Sequence, residues 1–376
     1  MTLPRTRVAV LFGGPSEEHD VSLVSGRAIA AGLRARDHDV ALWLIDRDGA
    51  WWSLPEPASD PALAVEAFRD PGALGAHGPW RPAAALERLA ALAPAPVVFP
   101  AMHGPFGEDG VVQSLLESVG LVYCGSGPAS SAVGMDKTLF KRVCQAMGLP
   151  VLPWVEVRAA ELTADRAAVE QEVAAFAADQ PDPRLVLKPA RLGSSIGISI
   201  VHRPDDPALL GAAIDLAMRH DDLALAEPYL ERPRELEVSV LGNTRLDTVA
   251  YGPGEIFPGR EFYDYVAKYL STESRTVPSA SLEHGIRGDA LAMAKAAFLA
   301  IGASGFARVD FLLSREGPLS VSEINTIPGF TPISLFPLMC AEGGYDFAAT
   351  CERIVELALE RAAQRPVRAD EPATSS

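Results

Sequence analysis

The sequence predicts an α/β protein, a parallel sheet layer at the start of the chain followed by α+β segments. Three observations carry this. Short apolar, β-rich runs alternate with helix-length periodic runs through the first third. A β-rich run at 97–99 opens directly into a polar glycine loop, the setting in which parallel sheets bind ligands. Beyond residue 230, β-rich runs follow one another closely, as in an antiparallel sheet.

Residues 8–12, Val-Ala-Val-Leu-Phe, predict a buried strand that ends at Gly13-Gly14. A helix follows, its apolar face marked by Val21, Val24, Ile29 and Leu33, with Asp20 placed to cap it. The next strand spans 40–45. Between 55 and 82 the chain is rich in Pro, Ala and Gly with weak periodicity, which predicts irregular structure with short helical pieces. The third strand, 97–99, leads into His103-Gly-Pro-Phe-Gly-Glu-Asp-Gly110. Helical turns run from about 125 to Met147, then an amphipathic stretch at 159–178 and a strand at 185–188. A Gly/Ser loop, 191–199, precedes a strand at 198–201, a helix at 206–219 and a strand at 223–227. Strands at 235–241 and 245–250, a Gly/Tyr-rich loop at 252–274 and a helix at 283–301 come next. Strands at 306–313 and 318–325 and helices ending near Glu360 close the fold, leaving 365–376 as a polar tail expected to be disordered. The texture changes at about residue 125, and 376 residues carry a prior of two to three domains.

Composition narrows the function. Apolar residues at 48% and charged residues at 22% describe a globular chain. The formal charge of -16, with no Lys/Arg-rich run, disfavours nucleic acid and anionic membrane surfaces as partners. The N-terminal apolar run is too short for a secretory core or a membrane span. Cys124, Cys144, Cys340 and Cys351 have neither finger nor CxxC spacing, which fits a reducing cytoplasm.

Four clusters can carry chemistry. On a strand, residues i and i+2 share a face, so Arg308 pairs with Asp310 and Glu323 with Asn325. If the two strands are neighbours, one face presents two carboxylates, an amide oxygen and a guanidinium. Such hard donors suit Mg²⁺, which takes few protein ligands and completes its shell with phosphates and water. The plainer alternative is an Arg308–Asp310 ion pair. The second cluster is Lys188-Pro-Ala-Arg-Leu-Gly-Ser-Ser-Ile-Gly197, whose small residues let backbone N–H groups wrap an anion beside Lys188. It lacks the GK[ST] ending of a Walker loop, and a simple hairpin would use the same residues. Lys137 is a second phosphate candidate, or else a solvated helix lysine. Third, Ser16, Glu18 and His19 lie between a strand end and a helix start, where the helix terminus attracts anions and Glu18 can hold an ammonium. Simple capping by Ser16 and Asp20 is compatible with this. Fourth, Glu261-Phe-Tyr-Asp-Tyr-Val-Ala-Lys-Tyr269 concentrates tyrosines and a lysine within a long loop, as a lid would.

In chain order, GGPSEEHDVS, HGPFGEDG, MDK (135–137), KPARLGSSIG, RELEV (234–238), YDYVAKY, ARVDF (307–311) and EINTIPGFTPISL (323–335) resemble the D-alanine:D-alanine ligases of the ATP-grasp superfamily. The resemblance spans nearly the whole chain except 55–95. It implies three domains with ATP held between the second and third, and two steps: phosphorylation of one D-alanine's carboxylate, then attack by the amine of a second. It implies ATP contacts from Lys137, Lys188, Ser194, Ser195, Glu227, Leu230 and Glu235, and two Mg²⁺ or Mn²⁺ on Asp310, Glu323 and Asn325, with Glu323 bridging. Glu18, with His103 nearby, receives the first D-alanine; Lys268, Ser334 and Leu335 hold the second substrate's carboxylate. Arg308 and the Gly329 N–H stabilise the oxyanion, while Tyr269, Ser194 and Glu18 form a network that couples substrate arrival to lid closure. Family habit further implies a homodimer, with a monovalent-cation requirement left open.

Two positions depart from the pattern. Val266 stands where relatives often carry an acid, and Pro228 stands where a lysine often follows the adenine-site glutamate, which removes one backbone donor. The alternatives are ligases that use D-lactate or D-serine as second substrate, another carboxylate–amine ligase of the same fold, or a regulator that kept the fold without the reaction. The D-lactate group is disfavoured by the lid run, and the last by the retention of every metal and phosphate position.

Overall fold

The computed structural model describes residues 4–60, 62–257, 275–315 and 317–364. Three sheets organise them. In the first, β1 (Arg7–Gly13) pairs in parallel with β2 (Asp39–Ile45) and with β5 (Val97–Pro100). Two short antiparallel strands, β3 (Trp51–Leu54) and β4 (His77–Trp80), extend the edge and complete the order β4-β3-β2-β1-β5. Neither was expected. Residues 56–59 and 65–69 are indeed short 3₁₀ turns, but the stretch expected to be irregular ends by rejoining the sheet as β4.

Helix α1 (His19–Arg34) covers this sheet, and the expected cap is absent. Glu18 occupies the cap position with no side-chain bond to the helix, while Asp20 accepts a hydrogen bond from Arg47 at 2.8 Å. The turn into α1 is set instead by Ser22, whose Oγ accepts from the Gly13 N–H at 2.7 Å and donates to the Ala101 carbonyl at 2.6 Å.

The second sheet has the order β6-β9-β7-β8, from Val155–Arg158 (β6), Leu185–Pro189 (β7), Ser199–Val201 (β8) and Leu223–Pro228 (β9). All its pairings are antiparallel. The helices 159–178 and 207–218 bury Val169, Val173, Leu210 and Ile214 against Leu185, Leu187 and Ala226.

The third sheet runs β12-β11-β10-β13-β14, from Arg234–Gly242 (β10), Val249–Phe257 (β11), Arg275–Val277 (β12), Gly305–Leu313 (β13) and Leu319–Asn325 (β14). Residues 245–248 were expected in a strand. They form a turn instead, tied by Asp247 accepting from the N–H groups of Asn243 and Thr244, and β11 then extends through Phe257 into what was expected to be loop. The helix Lys137–Ala146 sends Phe140 and Cys144 into the core of this sheet.

The first and third sheets share a core. Phe99 of β5 packs on Phe306 of β13 at 5.9 Å between centroids and on Phe330 at 5.9 Å, and Phe330 meets Phe336 at 5.4 Å. Each buried phenylalanine contributes about 1.5–3 kcal/mol. The C-terminal helix, Phe347–Gln364, packs along α1 and adds Cys351, Ile354 and Val355 to the same core. The ends of β1, β5 and β14 are thereby held together, and the loops that leave them face one another.

Candidate active site where the loops of three sheets meet

The first cluster assembles around Glu18. Its Oε1 accepts from the Ser194 hydroxyl at 2.5 Å, which joins the loop after β1 to the Gly/Ser loop after β7. Gly104 and Gly193 lie against the same carboxylate: a Cβ added at Gly104 would fall 2.8 Å from Glu18 Oε2, and one at Gly193 would fall 3.2 Å from it. Gly104 also has φ +72°, a conformation that L side chains rarely adopt. Ser16 donates to the His103 carbonyl at 2.7 Å, fixing one glycine loop to the other.

His103 is buried. Its Nδ1 lies 3.0 Å from the Ile327 carbonyl, which can only accept, so Nδ1 carries the proton and Nε2 accepts from Ser25 Oγ at 3.0 Å. Burial pushes this imidazole below its usual value against the pull of Glu18, which fits the neutral tautomer. Glu108, which sequence reasoning did not single out, accepts from the N–H groups of Gly104 at 2.8 Å and Ile327 at 3.1 Å. Burial and the neighbouring Glu18 push its carboxyl up to about 8. Ile327 is thus held at both N–H and C=O by the 103–110 loop, two residues before Gly329.

The second cluster lies in a cleft of about 830 Å³ between the second and third sheets. Its walls include Lys137, Lys188, Ser194, Ser195, Glu227, Leu230, Glu235, Asp310 and Glu323. Ser194 and Ser195 have φ of 52° and 56°, a left-handed pair in the Gly/Ser loop. Lys137 stands at the start of a helix capped by Asp136, and its ammonium donates to the Leu192 carbonyl at 2.8 Å and pairs with Glu323 at 3.2 Å. Lys188 pairs with Glu227 at 2.5 Å. Lys141, also missed from sequence, bonds the other Glu227 oxygen. Burial would raise the Glu227 carboxyl, but Lys188 and Lys141 outweigh it and hold it at about 2. The signal available for Lys141 was its spacing, one helical turn after Lys137 and on the same face.

The cluster on β13 and β14 bears out the strand parity. Arg308 is register partner to Asn325, and Asp310 to Glu323, while Val309 and Phe311 are buried on the opposite face. Arg308 forks onto Asp310 with two bonds of 2.7 Å and lies 3.3 Å from Glu237, an additional acid on β10. The ion pair considered as an alternative therefore exists, and it exists inside the site. Burial opposes the Arg308 charge, but Asp310 and Glu237 raise its pKa well above the ordinary value. Asn325 donates to Asp310 at 3.0 Å. Two carboxylates and an amide on adjacent strands fit Mg²⁺ when substrate phosphate completes the shell. Among the described residues, no group of three or more His, Cys, Asp or Glu forms a protein-only metal cage.

A second, narrower pocket is lined by Glu18, His103, Arg308, Asn325 and Gly329, and shares Lys137, Ser194 and Glu323 with the large cleft. Ser334 and Leu335 line neither. The Ser334 hydroxyl accepts from the Thr331 N–H at 3.0 Å, and Leu335 packs with Ile256 and Met339. Lys268, Tyr269 and the rest of the expected lid after Phe257 lie outside the described residues, as does 365–376.

The comparisons with known proteins bear on the family and the fold. Residues 7–126 match the family model "D-ala D-ala ligase N-terminus" and residues 143–356 match "D-ala D-ala ligase C-terminus". A D-alanine--D-alanine ligase of Streptomyces griseus is 38% identical, over 95% of this chain and 93% of its own. One from Solibacter usitatus is 39% identical, over 96% and 98%. The solved D-alanine-D-alanine ligase of Coxiella burnetii superposes with a TM-score of 0.80 at 31% identity, covering 96% of each chain. A D-Ala:D-Ser ligase from Enterococcus faecalis superposes at 0.76 with 27% identity, over 94% of this chain and 100% of its own. The fold is therefore that of these ATP-grasp ligases, and the chain belongs to the D-alanine:D-alanine ligase family.

Proposed function

We propose that the protein joins two D-alanines in an ATP-dependent, ADP-forming reaction through a D-alanyl phosphate. The observation that supports this reading is the junction of the two clefts at Lys137, Ser194 and Glu323: a nucleotide in the larger cleft with its terminal phosphate at that junction would adjoin the pocket of Glu18 and Arg308.

In the first step an oxygen of the D-alanine carboxylate attacks the γ-phosphorus and ADP leaves. Glu18 holds that substrate's ammonium and His103 supports the loop beside it, while Lys137 and Lys188 neutralise charge on the phosphates. Asp310, Glu323 and Asn325 would hold the Mg²⁺ or Mn²⁺ ions, which supply further neutralisation of the transferring group. In the second step the neutral amine of the other D-alanine attacks the acyl carbon, the bond from that carbon to the phosphate oxygen breaks, phosphate leaves with the oxygen it received from the first D-alanine, and the nitrogen's surplus proton passes to solvent. Arg308 and the Gly329 N–H stabilise the oxyanion that forms. Leu230 and Glu235 serve the adenosine, Ser334, Leu335 and Lys268 the second carboxylate, and Tyr269 closes on Ser194 to keep water from the acyl phosphate. The domains are 1–125, 126–226 and 227–364, the assembly is a homodimer, and the product feeds peptidoglycan precursors in the cytoplasm.

The test is ADP release on adding D-alanine with ATP and Mg²⁺, with dipeptide as the product. Release that is absent with L-alanine supports the reading; release indifferent to D-alanine refutes it. The structural likeness to a D-Ala:D-Ser ligase favours one second reading, and a competition of D-alanine, D-serine and D-lactate for the second position separates them.

A further inference from the structure

Glu227, at the end of β9, is buried and held on both carboxylate oxygens by ammonium groups, Lys188 on Oε2 and Lys141 on Oε1. The two lysines differ in what else they reach. Lys188 lines the nucleotide cleft, whereas Lys141 does not. The Lys141 side chain is 1% exposed and its ammonium lies 5.3 Å from the centre of the Trp154 ring, a face that accepts a desolvated cation. A lysine that turns toward phosphate leaves its carboxylate behind. With Lys188 as the sole counter-charge, that move would strand a buried, unpaired anion and cost several kcal/mol. The second lysine removes the penalty, because it stays when the first one leaves.

We propose that Lys141 is a positioning residue for the nucleotide site: it keeps Glu227 charged and in place while Lys188 exchanges Glu227 for the phosphates of the incoming nucleotide. This rests on the ATP-binding reading above. It makes the adenine-site acid and the phosphate lysine available at the same moment, although the structure pairs them with each other.

The experiment measures equilibrium binding of a nonhydrolysable ATP analogue with Mg²⁺, in the absence of D-alanine. The proteins are the full chain and its Lys141→Met, Glu227→Gln and doubly substituted forms, with melting temperatures recorded alongside. Lys141→Met is expected to weaken binding by about tenfold or more, while the same change in the Glu227→Gln background weakens it by less than about threefold, the non-additivity of two groups acting through one contact. A residue that merely supports the helix would lose the same factor in both backgrounds. Should Lys141→Met fail to fold, Lys141→Gln keeps a donor to Glu227 without the charge and carries the same comparison. Unchanged affinity, or an equal loss in both backgrounds, overturns the inference alone. Failure of the unsubstituted chain to bind the analogue overturns the ATP reading and this inference with it.

Discussion

Glu18 and Ser194 are 176 positions apart in the chain and meet in a hydrogen bond of 2.5 Å. The bond ties the loop proposed to receive an ammonium group to the loop proposed to cover phosphate, and by that proposal each would report on the state of the other. Ser194→Ala removes a hydrogen bond to a charged group, worth about 1.5–3 kcal/mol, or about ten- to hundredfold in kcat/KM for D-alanine. Steady-state kinetics check this. Full activity in the variant would mean that the two loops act independently.

The register pair Asp310–Glu323 gives a sharper expectation. Asp310→Asn and Glu323→Gln keep size but lose the charge and one acceptor oxygen, and each should lower kcat by a factor on the order of 10²–10³. A chelator should abolish turnover in the unsubstituted protein, and added Mg²⁺ or Mn²⁺ should restore it. Turnover that survives chelation would remove the metal from the account.

Gly104 sets a limit on what can stand beside Glu18. In Gly104→Ala the added Cβ meets the carboxylate at 2.8 Å in a left-handed backbone, which costs about 1–2 kcal/mol. The expected result is a raised KM for D-alanine, by a larger factor than any change in nucleotide affinity. Calorimetric titration with each ligand separately decides it, and loss of both affinities together would point to general unfolding.

Glu108 makes a prediction about pH. Its folded carboxyl is raised from 4.5 to about 8, so between those values the folded chain keeps a proton that the unfolded chain has released. Stability from this group is therefore full below 4.5 and declines as pH rises toward 8, by up to about 1.4 kcal/mol per pH unit. Denaturant titrations of the ligand-free protein across that window should show a steeper decline than those of Glu108→Gln. Parallel profiles would contradict the assignment.

Much of this site was legible in the sequence, and the parts that were not share a physical reason. Alternation along β13 and β14 exposed the Arg308, Asp310, Glu323, Asn325 face because side-chain direction on a strand depends only on parity. The Gly/Ser loop was legible because small residues let backbone N–H groups wrap an anion, whereas the close approach of Glu18 to Gly104 and Gly193 appears only in the fold. Asp20 misled because a local capping rule competes with partners it does not see, here Arg47. Strand β4 escaped notice because a four-residue edge strand in a Pro/Gly-rich stretch shows no period. Lys141 and Glu108 were missed because their roles depend on partners 86 and 219 positions away, and no local window contains such a pairing.

The central claim is that the D-alanine carboxylate accepts the phosphoryl group before the peptide bond forms. Supplying D-alanine labelled with ¹⁸O in its carboxylate and examining the inorganic phosphate by mass spectrometry tests it most directly. The account predicts one labelled oxygen in each phosphate released with dipeptide; dipeptide accompanied by unlabelled phosphate would contradict it.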